Sequence, residues 1–134
     1  MRPRLTAVLT LVFVGLICIS CGGIVDPSQN NITTHTGVVP VGGNFKIPFS
    51  ASKTGEINVR VGALTPASSA VIGVLWVQAG DGSCNGSLLQ NNQFATANTT
   101  AISGQIPSGS YCILMYDVGV FTQPVNFSVT ISRP

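Results

Sequence analysis

The chain has 134 residues, of which 45% are hydrophobic and only 7% charged. Its formal net charge of +2 belongs to Arg2 and Arg4, because Lys46, Lys53, Arg60 and Arg133 are balanced by Asp26, Glu56, Asp81 and Asp117. A chain balanced in this way lacks the basic footprint of a nucleic-acid binder, and its length fits one domain with a modest core.

Arg2 and Arg4 precede an uncharged, mostly apolar run over residues 5–19, followed by Ser20, Cys21, Gly22 and Gly23. A basic start, an apolar stretch of roughly 7–15 residues and a small-residue exit describe a secretory signal peptide. The run is short for a transmembrane helix, which needs about 20 apolar residues. The exit Cys18-Ile19-Ser20-Cys21-Gly22 resembles a bacterial lipobox. The resemblance implies lipid on Cys21, a membrane contact through that anchor only, and, with no aspartate after the cysteine, the outer membrane. Ordinary cleavage with release of the protein is the other reading. Either way the protein is expected outside the cytoplasm, with 1–20 as signal peptide, 21–35 as polar tether and 36–134 as the folded domain. In such a compartment Cys84 and Cys112 are expected to form a disulfide.

Along the domain the strongest strand signals cover residues 45–51, 56–64, 71–78, 99–105, 110–117 and 124–133, with weaker ones at 36–41 and 88–94. Ile57, Val59 and Val61 alternate with Asn58, Arg60 and Gly62, and Val125, Phe127, Val129 and Ile131 with Asn126, Ser128 and Thr130. Period two with one apolar face marks half-buried antiparallel strands. Segments 71–78 and 110–117 are apolar on both faces, as central or loop-covered strands are. No segment carries apolar residues at helical spacing. Seven to eight short antiparallel strands without helices predict an all-β, two-sheet β-sandwich of jelly-roll or Greek-key type.

The stretch Phe49-Ser50-Ala51-Ser52, then Gly55-Glu56-Ile57-Asn58-Val59, then Ile106-Pro107-Ser108-Gly109-Ser110-Tyr111, closed by an alternating strand from Val125 to Ile131, resembles bacterial pre-peptidase C-terminal domains. The resemblance covers the chain from Phe45 onward. It implies a jelly-roll-like sandwich that serves as a non-catalytic accessory module.

The inventory for chemistry is thin. His35 is the single histidine, no G-x-S-x-G elbow occurs, and the carboxylates are scattered. Asp81 and Asp117 each follow a strand, and as neighbours they would suit a hydrolase couple or, with Asn85 or Asn91, a calcium site; backbone hydrogen bonding in turns is the plainer role. A single histidine does not make a zinc site, and no phosphate loop precedes a helix. No catalytic residue, metal or cofactor is therefore expected. Asn31, Asn85, Asn98 and Asn126 each open an N-x-S/T triplet, read as a by-product of a sequence rich in Asn, Ser and Thr. Trp76 shares its face with Ile72 and Val74 and is expected in the core, whereas Tyr116 and Phe121 are the surface aromatics. Asp81, Asn85, Asp117 and Phe121, on loops 80–86 and 117–123, form the candidate binding surface for an envelope glycan, peptide or protein. An inert surface spacer is the alternative, and a small extracytoplasmic hydrolase a distant third.

Overall fold

The computed structural model describes residues 26–134. It contains one turn of 3₁₀ helix, Pro27–Gln29, and eight strands: β1 Asn31–Val39, β2 Asn44–Ala51, β3 Gly55–Thr65, β4 Ile72–Gln78, β5 Ser87–Ala95, β6 Thr100–Ile106, β7 Gly109–Tyr116 and β8 Val125–Arg133. The six strong strand signals match β2, β3, β4, β6, β7 and β8 to within one residue at every end. The short 3₁₀ turn departs from the expectation of no helix; the Asp26 side chain caps it by accepting from the Ser28 N–H at 2.9 Å.

Sheet I has the order β1-β8-β3-β6 and sheet II the order β2-β7-β4-β5. Strand β1 pairs with β8, β2 with β7, β3 with β6 and β4 with β5, all antiparallel. The chain is thus one long ribbon of paired strands rolled so that its two halves face each other, which is the jelly roll. Antiparallel pairing also sorts the connections between two ends. Val39 pairs with Val125 and Ile72 with Ala95 at one end, whereas Asn31 pairs with Arg133 and Gln78 with Ser87 at the other. The N-terminal side of the domain therefore lies opposite the end that carries the β3–β4 and β7–β8 loops.

The alternating residues meet in the middle. Ile57, Val59 and Val61 of β3, Val125 to Ile131 of β8, Ile72, Val74 and Trp76 of β4, and Tyr111, Ile113 and Met115 of β7 form one buried cluster between the sheets. Burial of such side chains stabilises a fold by roughly 1.5–3 kcal/mol each before entropy is counted. The two-faced character of β4 and β7 has a separate cause. On the outer side of sheet II, loop 80–86 folds back so that Cys84 packs on Val77, Ala79 and Cys112, with Leu114 against them. The loop is bound there by the Cys84–Cys112 disulfide.

Strand β1 starts at Asn31, inside the segment expected to be tether, so His35 is a strand residue. Asn30 anchors the strand's entry by donating to the Glu56 carbonyl at 3.0 Å and to Ser132 Oγ at 3.1 Å. β1 is an edge strand, and its inward positions Thr33, His35 and Gly37 are only half-buried. Gly37 lies against the Phe45 and Phe127 rings, closer than a Cβ tolerates. A strand with so little apolar burial carries almost no period-two signal.

Candidate functional site

The two loops expected to form one surface leave opposite ends of the same strand pair. Gln78 pairs with Tyr111 and Gly73 with Tyr116, so loop 80–86 leaves β4 at the N-terminal end and loop 117–123 leaves β7 at the other. Asp81 and Asp117 are accordingly not brought together, either as a carboxylate couple or as a calcium set. Among the described residues, no three His, Cys, Asp or Glu side chains are grouped as metal ligands.

Each carboxylate instead builds its own loop. Asp81 Oδ1 accepts from Ser83 Oγ at 2.6 Å and from the Ser83 N–H at 3.0 Å. Those bonds, the hydroxyl first, hold its pKa below the ordinary carboxylate value. Asn85 is exposed and donates its N–H to Ser83 Oγ at 3.2 Å, while Lys46 Nζ reaches the Ser83 carbonyl at 3.3 Å. At the other end, Asp117 Oδ1 accepts from the N–H groups of Gly119, Val120 and Phe121 at 2.8, 3.0 and 3.1 Å. Its Oδ2 accepts from Gly42 at 2.8 Å, tying the loop to the β1–β2 turn. Desolvation pushes the Asp117 pKa up, but the four N–H donors outweigh it and the net shift is downward.

This wrapping overturns the expectation for Phe121. The turn around Asp117 brings the Phe121 backbone back toward the strand end, and its ring enters the core at 9% exposure. Tyr116 lies on the outer face as expected but is half-buried, donating its hydroxyl to Asn91 Oδ1 at 2.8 Å with its ring over Gly73. Trp76 is buried between the sheets.

The exposed aromatic is Phe94, at 79% exposure. The pairing of β4 with β5 shifts between Ile72↔Ala95 and Val74↔Asn92, which marks a bulge. Asn92 organises it, accepting the Phe94 N–H at 2.9 Å and donating Nδ2 to the Ala101 carbonyl at 3.0 Å across to β6. Bulges re-aim side chains, and here Ala95 turns into the core while Phe94 turns outward. Beside it stand Val118 and Val120, the latter 60% exposed. With Ser69, Ala70, Val71 and Gln93 these residues line a groove of about 530 Å³. Loop 117–123 thus does front a recess, but through Val118 and Val120.

The fold can be compared with known proteins at this point. No protein-family model matches the chain, and no curated protein matches it in sequence. Among solved structures it is similar to the crystal structure of the Yersinia pseudotuberculosis-derived mitogen, with a TM-score of 0.59 and 16% sequence identity, over 78% of this chain and 87% of that one. At that identity the likeness is one of fold: a β-sandwich with the same general arrangement of strands.

Asp117→Ala is expected to lower stability by about 1–2 kcal/mol, since it leaves four loop N–H groups without their acceptor. The acid dependence follows from the lowered pKa. The ionised carboxylate stabilises the folded state above its unfolded value, near 3.9, and that contribution disappears as pH falls through the lower folded value. Urea midpoints measured from pH 7 downward should stay level until about pH 4 and then fall, less steeply in Asp117→Asn. An unchanged acid slope in that variant would contradict the assignment.

Proposed function

We propose that the protein is an exported, non-catalytic binding module of the cell envelope, held to the membrane at Cys21, whose groove at the far end of the sandwich takes an apolar segment of a peptide or protein partner. Cys21 itself lies outside the described residues. Export is supported by the signal-peptide pattern and by the Cys84–Cys112 disulfide, and no helix among the described residues is long and apolar enough to cross a membrane. The resemblance to pre-peptidase C-terminal domains and the separation of Asp81 from Asp117 both favour a role without turnover.

The observation that carries the reading is Phe94. A bulge held by Asn92 presents a phenyl ring to solvent beside Val120, where burial in the core would have been favourable. Contiguous exposed apolar groups mark interaction sites, and aromatic anchors dominate binding energies. The groove also lies at the end of the sandwich opposite Asn31, the start of β1. An uncharged apolar recess suits a peptide or protein side chain better than a glycan.

The test compares retention of wild type, Phe94→Ala and Val120→Asp on envelope preparations. Both variants are expected to fold with stabilities within about 0.5 kcal/mol of wild type and to bind roughly tenfold or more weakly. Equal retention of all three removes the groove from the function. A wild type that is not retained at all supports the spacer reading.

A further inference from the structure

A jelly roll has four sheet edges, and in this protein three of them carry devices that prevent pairing with another chain. β2 has Lys46 and Pro48 within it, and Arg133 Nε occupies the Ser50 carbonyl at 2.7 Å. β5 is broken by two register shifts, with the Phe94 N–H turned onto Asn92. β6 has a shift against β3, and Asn92 Nδ2 covers its Ala101 carbonyl. Lysine, proline, bulges and covering side chains are the usual means of blunting an edge.

β1 has no lysine, proline or bulge, and Arg133 Nη1 meets it only through a side chain, donating to Thr33 Oγ1 at 3.0 Å. It runs nine residues in unbroken register with β8, from Asn31↔Arg133 to Val39↔Val125. Its sequence Asn-Ile-Thr-Thr-His-Thr-Gly-Val-Val contains no charge and no proline. Its outer face presents Ile32 at 66% and Val38 at 45% exposure, with Thr34 and Thr36 exposed between them.

We infer that a second copy of this chain pairs along β1, joining sheet I of the two copies into one eight-stranded sheet about a two-fold axis through His35. The side chains are self-complementary in that register. Ile32 lies opposite Val38 of the second copy, Thr34 opposite Thr36, and His35 opposite its own counterpart, all facing residues projecting from the same side. Apolar pairs and Thr–Thr pairs are favourable cross-strand neighbours, and the absence of charge means that no like charges meet. An isologous interface of this kind closes at two copies. The dimer is independent of the groove, and its antiparallel geometry sets one groove at each end, so it has two binding ends.

The test uses engineered cysteines in the exported protein, in place in the envelope or medium of the host cells. In the proposed register two His35→Cys residues face each other with Cα atoms about 4.5–5.5 Å apart, within disulfide reach. Two Thr33→Cys residues are displaced by four positions, roughly 13 Å, and are out of reach. On non-reducing gels His35→Cys should give a covalent dimer and Thr33→Cys should not. In the His35→Cys background, Thr34→Lys with Thr36→Lys places like charges opposite each other and should reduce the cross-link by roughly tenfold, whereas Thr34→Lys with Thr36→Glu should retain it. The same two charge variants without the cysteine, compared by sedimentation of the purified protein, guard against a folding defect of the cysteine variant. Monomer from His35→Cys, equal cross-linking at 33 and 35, or identical behaviour of the two charge variants would each overturn the proposal, the last pointing to another occupant of the edge.

Discussion

Cys112→Ala is expected to lower the free energy of unfolding by about 2–4 kcal/mol. The bridge closes a 28-residue loop, and its loss restores that freedom to the unfolded chain. The folded state suffers as well. Cys112 is wholly buried on β7 and Cys84 is nearly so, and together with Val77 and Ala79 they are the small apolar cluster that holds loop 80–86 on sheet II. Without the bridge, the loop keeps the Asp81–Ser83 bonds, which are internal to it, and the exposed Lys46–Ser83 contact. Loop 80–86 should therefore become the first site of proteolysis, as exposed loop tips commonly are. The groove at Phe94 stands at the other end of the sandwich, so retention should not change. Urea unfolding, limited proteolysis and peptide mapping without reductant check the three parts. Two alkylatable thiols in the native wild type would remove the premise.

The eight strands were legible because two sheets closing on one core impose period two on the strands they bury. β8 alternates from Val125 to Ile131 and β3 from Ile57 to Val61, with a bulge shifting the phase before Leu64, and these alternating apolar residues are in the core. β1 and β5 gave weak signals because they place few apolar side chains in the core: β1 fills its inward positions with Thr33, His35 and Gly37, and β5 is interrupted by bulges. The binding surface was legible only in part. Loop 117–123 borders the groove, but parity and exposure do not say which of its side chains faces out. Hydrogen bonds to Asp117 decide it, turning Phe121 in and leaving Val120 out. Phe94 was hidden for the same kind of reason: its direction depends on an Asn92 side chain that bonds both to the Phe94 N–H and to the next sheet. Two loops that follow neighbouring antiparallel strands leave opposite ends, so the pairing of β4 with β7 by itself separates Asp81 from Asp117.

Tyr111→Ala is expected to have the largest effect of any single change considered, a loss of about 3–5 kcal/mol. The residue stands at the junction between the β6–β7 turn and the core. Its ring is buried, lying 5.8 Å from Phe49 in a stacked pair and 5.9 Å from Trp76 in a tilted one. The Arg133 guanidinium lies over the Phe49 ring as well, 5.4 Å from its centroid. The hydroxyl donates to the Pro107 carbonyl at 2.9 Å, four residues upstream. The bond closes the Pro107-Ser108-Gly109-Ser110-Tyr111 turn, much as tyrosine corners do in Greek-key sandwiches. These five residues lie within one of the four stretches on which the family resemblance was read, and their structural role is this fastening of a turn to the core. Two variants separate the contributions. Tyr111→Phe keeps the ring and deletes only the hydrogen bond, and should lose about 1 kcal/mol. Tyr111→Ala removes the ring as well and leaves a void between the sheets that Phe49 and Trp76 cannot both fill. Against a total stability of about 5–15 kcal/mol for a domain of this kind, the alanine variant should keep only a fraction of the wild-type value and accumulate poorly in the cell. Equilibrium urea unfolding of the three proteins decides the matter. Equal losses in Phe and Ala variants would place the energy in the hydroxyl, and no loss in either would show that the turn holds without its tyrosine.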